Sequence, residues 1–223
     1  MNVKLLEHTH LSSVVIAART CWNSFHKGGL YDYPTNEITE EDKTLLSRLL
    51  FKNKHESIFE HIVYVFNILG IPRLCLQELA RHRIASYSVK STRYTLKELK
   101  YEKPFISFSR DKQEYACDTE RASKFIEVDP EVNPIFQHQQ LEFLRETLLD
   151  GVSLDDAKYL LPESYLTDLI MTINVRSFRN FLQLRLSKSA HKSIRALANE
   201  MLTSLPVEHL FLYKDLLEEN KND

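Results

Sequence analysis

The chain has 223 residues, 43% of them hydrophobic and 27% charged, and a net charge of −2. That balance suits an ordinary globular protein with a sizeable core. It excludes a chain whose overall charge would seek nucleic acid, so any cationic function must be local. The glycines number only four and form no Gly-x-Gly-x-x-Gly run and no Walker-type loop, which argues against a Rossmann-type dinucleotide site. Cys21, Cys75 and Cys117 are scattered without CxxC spacing. An odd, sparse set points to a reducing compartment and away from a disulfide or zinc framework. The N-terminal run breaks at Glu7-His8 and does not read as a signal peptide. The longest apolar run, Ile62 to Ile71, contains Asn67 and is too short to span a bilayer. A cytoplasmic location is expected.

In chain order, Ser12 or Ser13 is placed to cap a helix through Ala18 and Cys21. Residues 25–38, with Gly, Tyr, Asp, Pro and Asn, read as a loop. Thr39-Glu40-Glu41-Asp42 has the form of a capping box with Asp in the Glu place. It opens a helix whose Leu45, Leu46, Leu49 and Leu50 share one face. Ile62 to Leu69 is β-branched and aromatic and reads as a strand ended by Gly70. Pro72 suits the first position of a helix through Leu76 and Leu79 toward Arg83. Residues 86–94 read as extended and Pro104 to Asp111 as irregular. Asn133-Pro134 opens a helix that Asp150-Gly151 closes. Ser153 starts a short helix stopped near Pro162, and Leu166 to Ile173 is a second strand. Ser177 begins a helix carrying Phe178, Phe181, Leu182 and Arg185. Pro206 separates two last helices, Ser189 to Leu205 and Val207 to Glu219. No repeat or composition break divides the chain, so a single helix-rich α+β domain over residues 1–223 is expected.

The polar residues gather in three places. Arg81 to Tyr94 holds four cations, a histidine and three serines in fourteen residues. Cations at a helix C-terminus favour the macrodipole by about 0.3–1 kcal/mol each, and a solvated strand face would account for the rest. The alternative is a phosphate site built from hydroxyls, backbone N–H groups and an Arg able to make paired hydrogen bonds. In the second place, His55 to His61, Glu56 and Glu60 are four apart and would share a helical face, so a metal site is conceivable. The HExxH pattern is absent, and a polar helix-to-strand junction is the plainer reading. In the third, Asn174, Arg176, Asn180 and Arg185 recur beside large apolar residues, where an unpaired Arg would be costly if buried.

Arg81-His82-Arg83, a seven-residue gap, Ser91, then Arg93-Tyr94 resembles the signature of the flavin-dependent thymidylate synthases. His55 to His61 resembles that family's His-x-(Ser/Thr)-x-Phe-Glu-His segment. Residues 174–185 resemble its Asn-x-Arg-Ser-x-x-Asn-Phe-x-x-Leu-Arg segment. The resemblance covers roughly residues 10 to 205, in the family's order, with 100–135 unmatched. It implies a helix-rich α+β domain around a central, mainly antiparallel sheet. It also implies reductive methylation of dUMP to dTMP, with 5,10-methylenetetrahydrofolate as carbon donor and NADPH-reduced FAD as hydride source. No cysteine nucleophile is needed in that chemistry.

For the residues, the resemblance implies that His55, Ser57, Glu60, Asn174, Arg176 and Asn180 contact the flavin. Arg81, His82 and Arg83, with Arg176, take the place of a Gly-rich loop on the FAD phosphates. Glu78, Arg81, Ser91, Thr92 and Arg93 hold the nucleotide, and Lys158 stands where many members carry a phosphate-binding Arg. Arg185 faces the uracil ring as the catalytic residue. No metal is implied. The family is a homotetramer with flavin sites between subunits, and neither nucleic acid nor membrane is an expected partner. Two other readings compete. A non-catalytic nucleotide- or RNA-binding protein could stack bases on Tyr87 and Tyr94, but the net charge counts against it. A helix-rich scaffold would leave Asn174, Arg176, Asn180 and Arg185 unexplained.

Overall fold

Alternation shapes the first strand. In β1 (Asn2–His8), half-buried Val3 and Leu5 alternate with exposed neighbours. α1 (Leu11–Cys21) then buries Leu11, Val14, Val15 and Ala18, the spacing of one helical face. The computed structural model describes residues 1–111 and 113–217. The expected serine cap of α1 is not formed. His10 holds the cap position without a side-chain bond, and buried Ser12 accepts from the Thr35 N–H at 3.0 Å instead. Thr39 does cap α2 (Glu40–Ser47), accepting from the Asp42 N–H at 3.2 Å. Asp42 does not complete the box, because Arg19 and Tyr31 hold its buried carboxylate at 2.7 and 2.8 Å.

β2 (Val63–Pro72) outruns the sequence expectation. Gly70 does not end it. With φ +67° it takes a left-handed conformation, its N–H reaches Asp168 Oδ1 at 2.8 Å, and the strand continues. α3 (Arg73–Leu79) follows directly, and β3 (Ala85–Val89) is the extended part of the cationic run. Residues 92–94 are not extended as expected. The Tyr94 and Thr95 N–H groups close onto the Ser91 carbonyl at 3.2 and 3.3 Å, making the short α4 (Thr92–Thr95). The stretch expected to be irregular forms a strand too. β4 (Ile106–Ser109) pairs antiparallel with β5 (Glu114–Cys117), setting Phe108 opposite Tyr115 with rings 5.1 Å apart.

α5 (Thr119–Ala122) leads to α6 (Pro134–Leu149), capped by Asn133 at the Ile135 N–H, 2.9 Å, and followed by Gly151 at φ +89°. The next short helix spans Asp156–Leu160 rather than starting at Ser153, because Ser153 Oγ caps it at the Asp156 N–H, 3.1 Å. β6 (Leu166–Asn174) and α7 (Val175–Arg185) abut. α7 starts before Ser177 because Asn174 is its cap, accepting from the Ser177 N–H at 2.8 Å. α8 (Lys192–Thr203) starts later than Ser189, with His191 as its cap. After Pro206 comes a tight helical stretch, Val207–Tyr213; the expected end at Glu219 lies outside the described residues.

The main sheet has the order β1-β2-β6-β3. Thr9 N–H meets the Val63 carbonyl at 3.0 Å, so the end of β1 lies by the start of β2. Val175 N–H meets the Ile62 carbonyl at 2.9 Å and Arg73 N–H the Tyr165 carbonyl at 3.0 Å, which sets β2 and β6 antiparallel. The helix-rich α+β class with a mainly antiparallel sheet is therefore as expected. The chain divides into two compact units, whose boundaries fall within β2, β3 and β6 and at the end of α3. One holds residues 1–68, 80–88 and the chain from Ile170 onward; the other holds 69–79 and 89–169. The first is centred on Tyr64, Phe66, Phe178, Phe181 and Tyr213, whose rings meet edge-on, tilted or stacked. The second packs Leu96, Leu99, Phe105, Leu141, Leu144 and Tyr165. Among the described residues no helix is long and apolar enough to cross a membrane.

Candidate active site

In the first unit, parts of all three polar stretches line one cleft of about 900 Å³. Glu56 and Glu60 come from the turn before β2, Arg81, His82 and Arg83 from the segment before β3, and Arg176, Asn180 and Arg185 from α7. The α7 residues reach the cleft for a periodic reason. Val175, Phe178, Phe181 and Leu182 bury one face of the helix, which leaves Arg176 and Asn180 exposed on another. Five guanidinium groups, Arg179 among them, against two carboxylates make the cleft a cationic hollow of the size that holds a cofactor.

Arg185 Nε donates to His82 Nε2 at 3.1 Å. The His82 ring is buried and lies edge-on to Phe181, centroids 5.1 Å apart. Tyr87, whose phenol is pushed up to about 12 by burial, donates to the His82 carbonyl at 2.9 Å. The middle residue of the Arg-His-Arg run is thus held from both ends. Glu60 Oε1 takes Arg176 Nη1 at 2.6 Å, and Glu56 Oε2 lies 3.6 Å from Arg176 Nε. The two carboxylates that could have suggested a metal clamp a guanidinium instead. Among the described residues no group of His, Cys, Asp and Glu could hold a metal ion. Arg179, at the rim, is tied to Asp215 and the Leu212 carbonyl.

Of the remaining sequence candidates, His55 and Ser57 sit on the turn that carries Glu56 and Glu60 but do not line the cleft. The Asn174 side chain is engaged as the α7 cap. Ser91, Thr92, Arg93, Lys158 and Glu78 belong to the second unit. There Arg93 and Lys158 converge on one carboxylate. Asp155 accepts from Arg93 Nε at 3.1 and 3.0 Å, from Arg93 Nη2 at 2.9 Å, and from Lys158 Nζ at 2.5 Å. Asp155 was not a sequence candidate; its one local signal is its place three residues before Lys158. Ser91 holds the cap position of α4, yet its hydroxyl makes no cap bond. Lys90 is engaged with Asp168, 3.3 Å away.

The cysteines stand apart from this chemistry. None lines the cleft. Cys75 is fully buried, and burial first, then Glu127 and Glu78, pushes its thiol up to about 12. Cys117 is raised by burial as well. Neither favours a thiolate nucleophile.

A helix-rich α+β fold, with a cationic cleft assembled in its first unit from three separated segments and no Gly-x-Gly-x-x-Gly run, is the class these observations define. The chain belongs to the thymidylate synthase complementing protein family, whose model matches residues 4–207. A flavin-dependent thymidylate synthase of Wolinella succinogenes is 50% identical over 217 residues, 96% of this chain and 97% of that one. One of Helicobacter pylori strain 26695 is 41% identical over 98% of this chain and the whole of its own. The crystal structure of Helicobacter pylori ThyX with FAD and dUMP superposes with a TM-score of 0.84 at 39% identity, covering 98% of this chain.

Proposed function

We propose that the protein is a flavin-dependent thymidylate synthase that converts dUMP to dTMP and binds FAD. The observation that carries this reading is the convergence of Glu60, Arg81 to Arg83 and Arg176 to Arg185 on one cationic cleft. FAD fits that cleft: its diphosphate needs cations where no Gly-rich loop exists, and Arg81, Arg83 and Arg176 supply them. His55, Ser57, Glu60, Asn174 and Asn180 complete the proposed flavin contacts. Bound flavin supplies hydride once NADPH has reduced it, and methylenetetrahydrofolate supplies the carbon.

The chain's own residues bind and orient. Ser91, Thr92, Arg93 and Lys158 take the nucleotide phosphate and so position the base, with Glu78 and Arg81 as further nucleotide contacts. Arg185 faces the uracil ring, where a planar guanidinium stabilises negative charge developing on a carbonyl oxygen or at N3. His82 fixes the direction of that guanidinium. No thiolate takes part, in keeping with the burial of Cys75. The chain acts as one functional domain over residues 1–223, assembles as a homotetramer and works in the cytoplasm. A non-catalytic nucleotide- or RNA-binding role is not favoured, since the relatives are enzymes over nearly the whole chain.

The test is the absorbance spectrum of purified protein before and after NADPH, followed by product analysis with dUMP and methylenetetrahydrofolate. A yellow protein that bleaches with NADPH and makes dTMP is expected. A colourless protein that ignores added FAD and forms no dTMP refutes the reading.

A further inference from the structure

Arg93 and Lys158 are both cations, and nothing local draws them together: they lie on α4 and on the helical turn Asp156–Leu160. Left to themselves they would repel. Asp155 brings them to one point, with the Arg93 Nε and Nη2 edge on both its oxygens and Lys158 Nζ on Oδ1. Asp155 occupies the cap position of its own turn, where a carboxylate ordinarily takes a backbone N–H. It makes no such bond. Ser153 does that work at the Asp156 N–H, and the Asp155 side chain is left to the two cations.

We propose that Asp155 is a positioning residue that assembles a phosphate-monoester subsite from Arg93 and Lys158. The inference rests on the reading above that dUMP is the substrate. A guanidinium carries five N–H donors and an ammonium three. The bonds to Asp155 use the Nε edge of Arg93 and one proton of Lys158, so the Nη1–Nη2 edge and two ammonium protons remain for an incoming anion. The trio carries two positive charges and one negative, so it still attracts a phosphate dianion. The carboxylate also restricts two long side chains that would otherwise have to be ordered when the ligand binds. It stays ionised at any working pH, because Arg93 first and Lys158 second hold its carboxyl at about 2.

The experiment is calorimetric titration of the purified, FAD-loaded full-length protein with dUMP and, separately, with deoxyuridine, which lacks the phosphate. The wild-type titration comes first: if it shows no dUMP binding, the substrate reading fails and this inference falls with it. With wild-type binding in hand, Asp155→Asn should weaken dUMP about tenfold, the scale of a lost orientation in a charge-assisted pair, and leave deoxyuridine unchanged. Asp155→Glu, which keeps the charge, should recover most of the loss. Unchanged or tighter dUMP binding in Asp155→Asn would make the carboxylate a bystander or a competitor and overturn the proposal. Equal weakening of dUMP and deoxyuridine would overturn it too, because the effect would not be phosphate-specific.

Discussion

The Nε of Arg185 donates to the Nε2 of His82 across 3.1 Å, joining residues 103 apart in sequence. An arginine keeps its protons at any accessible pH, so His82 Nε2 must accept, and in the neutral ring the proton sits on Nδ1. The histidine of the Arg-His-Arg run therefore aims a neighbour's guanidinium at the cleft instead of facing an anion with that nitrogen. Aromatic packing on Phe181 keeps the ring from turning away.

For Arg185 itself the expectation is a chemical defect. Arg185→Ala should abolish measurable dTMP formation while NADPH still reduces the flavin. One donor aimed at a developing charge is worth roughly 2.7–4 kcal/mol, about a hundred- to thousandfold in rate. Arg185→Lys should restore little, since an ammonium cannot offer two parallel N–H bonds. Stopped-flow flavin reduction and product analysis on the same preparations separate the two half-reactions. Near-normal turnover in the alanine variant would remove Arg185 from the chemistry.

His82 should act through Arg185. His82→Leu removes the acceptor, whereas His82→Gln can place a carbonyl oxygen near the position of Nε2. The leucine variant is expected to retain flavin but lose dUMP affinity and dTMP formation, and the glutamine variant to recover much of both. Added to Arg185→Ala, the leucine change should cost nothing further, because coupled residues do not contribute additively. A colourless His82→Leu protein would return the histidine to the flavin phosphates.

What was legible in the sequence was what short-range patterns carry. β2 is dense in β-branched and aromatic residues and β6 in β-branched and other aliphatic ones, α6 is bracketed by Asn133-Pro134 and Gly151, and the buried face of α7 follows its period. The β4–β5 hairpin was not legible, because its strands are four residues each and are held by pairings such as Ile106 with Cys117. Caps divided the same way. Thr39 and Asn133 were visible as the residues before their helices, but Asn174 was hidden by the better-looking Ser177 two residues past the helix start. In the site, the motif arginines were readable as cations, whereas their partners were not. Nothing at Asp155 signals an arginine 62 residues earlier, and nothing in Glu56 and Glu60 announces Arg176.

Ser91 should serve binding and not bond-making. It is exposed, its hydroxyl makes no cap bond, and among the described residues no general base is bonded to it. Losing one hydrogen bond to a charged group costs about 1.5–3 kcal/mol, so Ser91→Ala should bind dUMP roughly ten- to a hundredfold more weakly. dTMP should still form at saturating dUMP. A companion variant lacking all three cysteines should also make dTMP if it retains flavin. If Ser91→Ala binds dUMP normally yet forms no product at any concentration, the serine is chemical.

The last expectation concerns stability and comes from the core of the first unit. Tyr213 OH donates to Tyr64 OH at 3.2 Å, and His209 bridges Tyr64 OH at 2.9 Å to Asn36 Oδ1 at 3.0 Å. Asn36 Oδ1 can only accept, so His209 Nε2 carries the proton and Nδ1 accepts from Tyr64. A second ring proton would face the tyrosine hydroxyl inside an apolar core. Burial first, then His8 and His10, lowers the His209 pKa to about 3. An unfolded histidine titrates near about 6.5. The folded value is depressed, so the stability that neutral His209 contributes is fully present above about pH 6.5 and is lost as pH falls from there toward 3. From pH 7.5 to pH 5 the loss should reach about 2 kcal/mol, roughly 1.4 kcal/mol for each pH unit below the unfolded pKa. His209→Gln should be less stable than wild type at pH 7.5 and lack this component. The measurement is urea unfolding of both proteins at the two pH values, compared as a wild-type minus variant difference, which cancels the carboxylates common to both. Parallel pH profiles would mean that His209 takes up its proton as readily folded as unfolded, and that the buried chain from Tyr213 to Asn36 tolerates the charge.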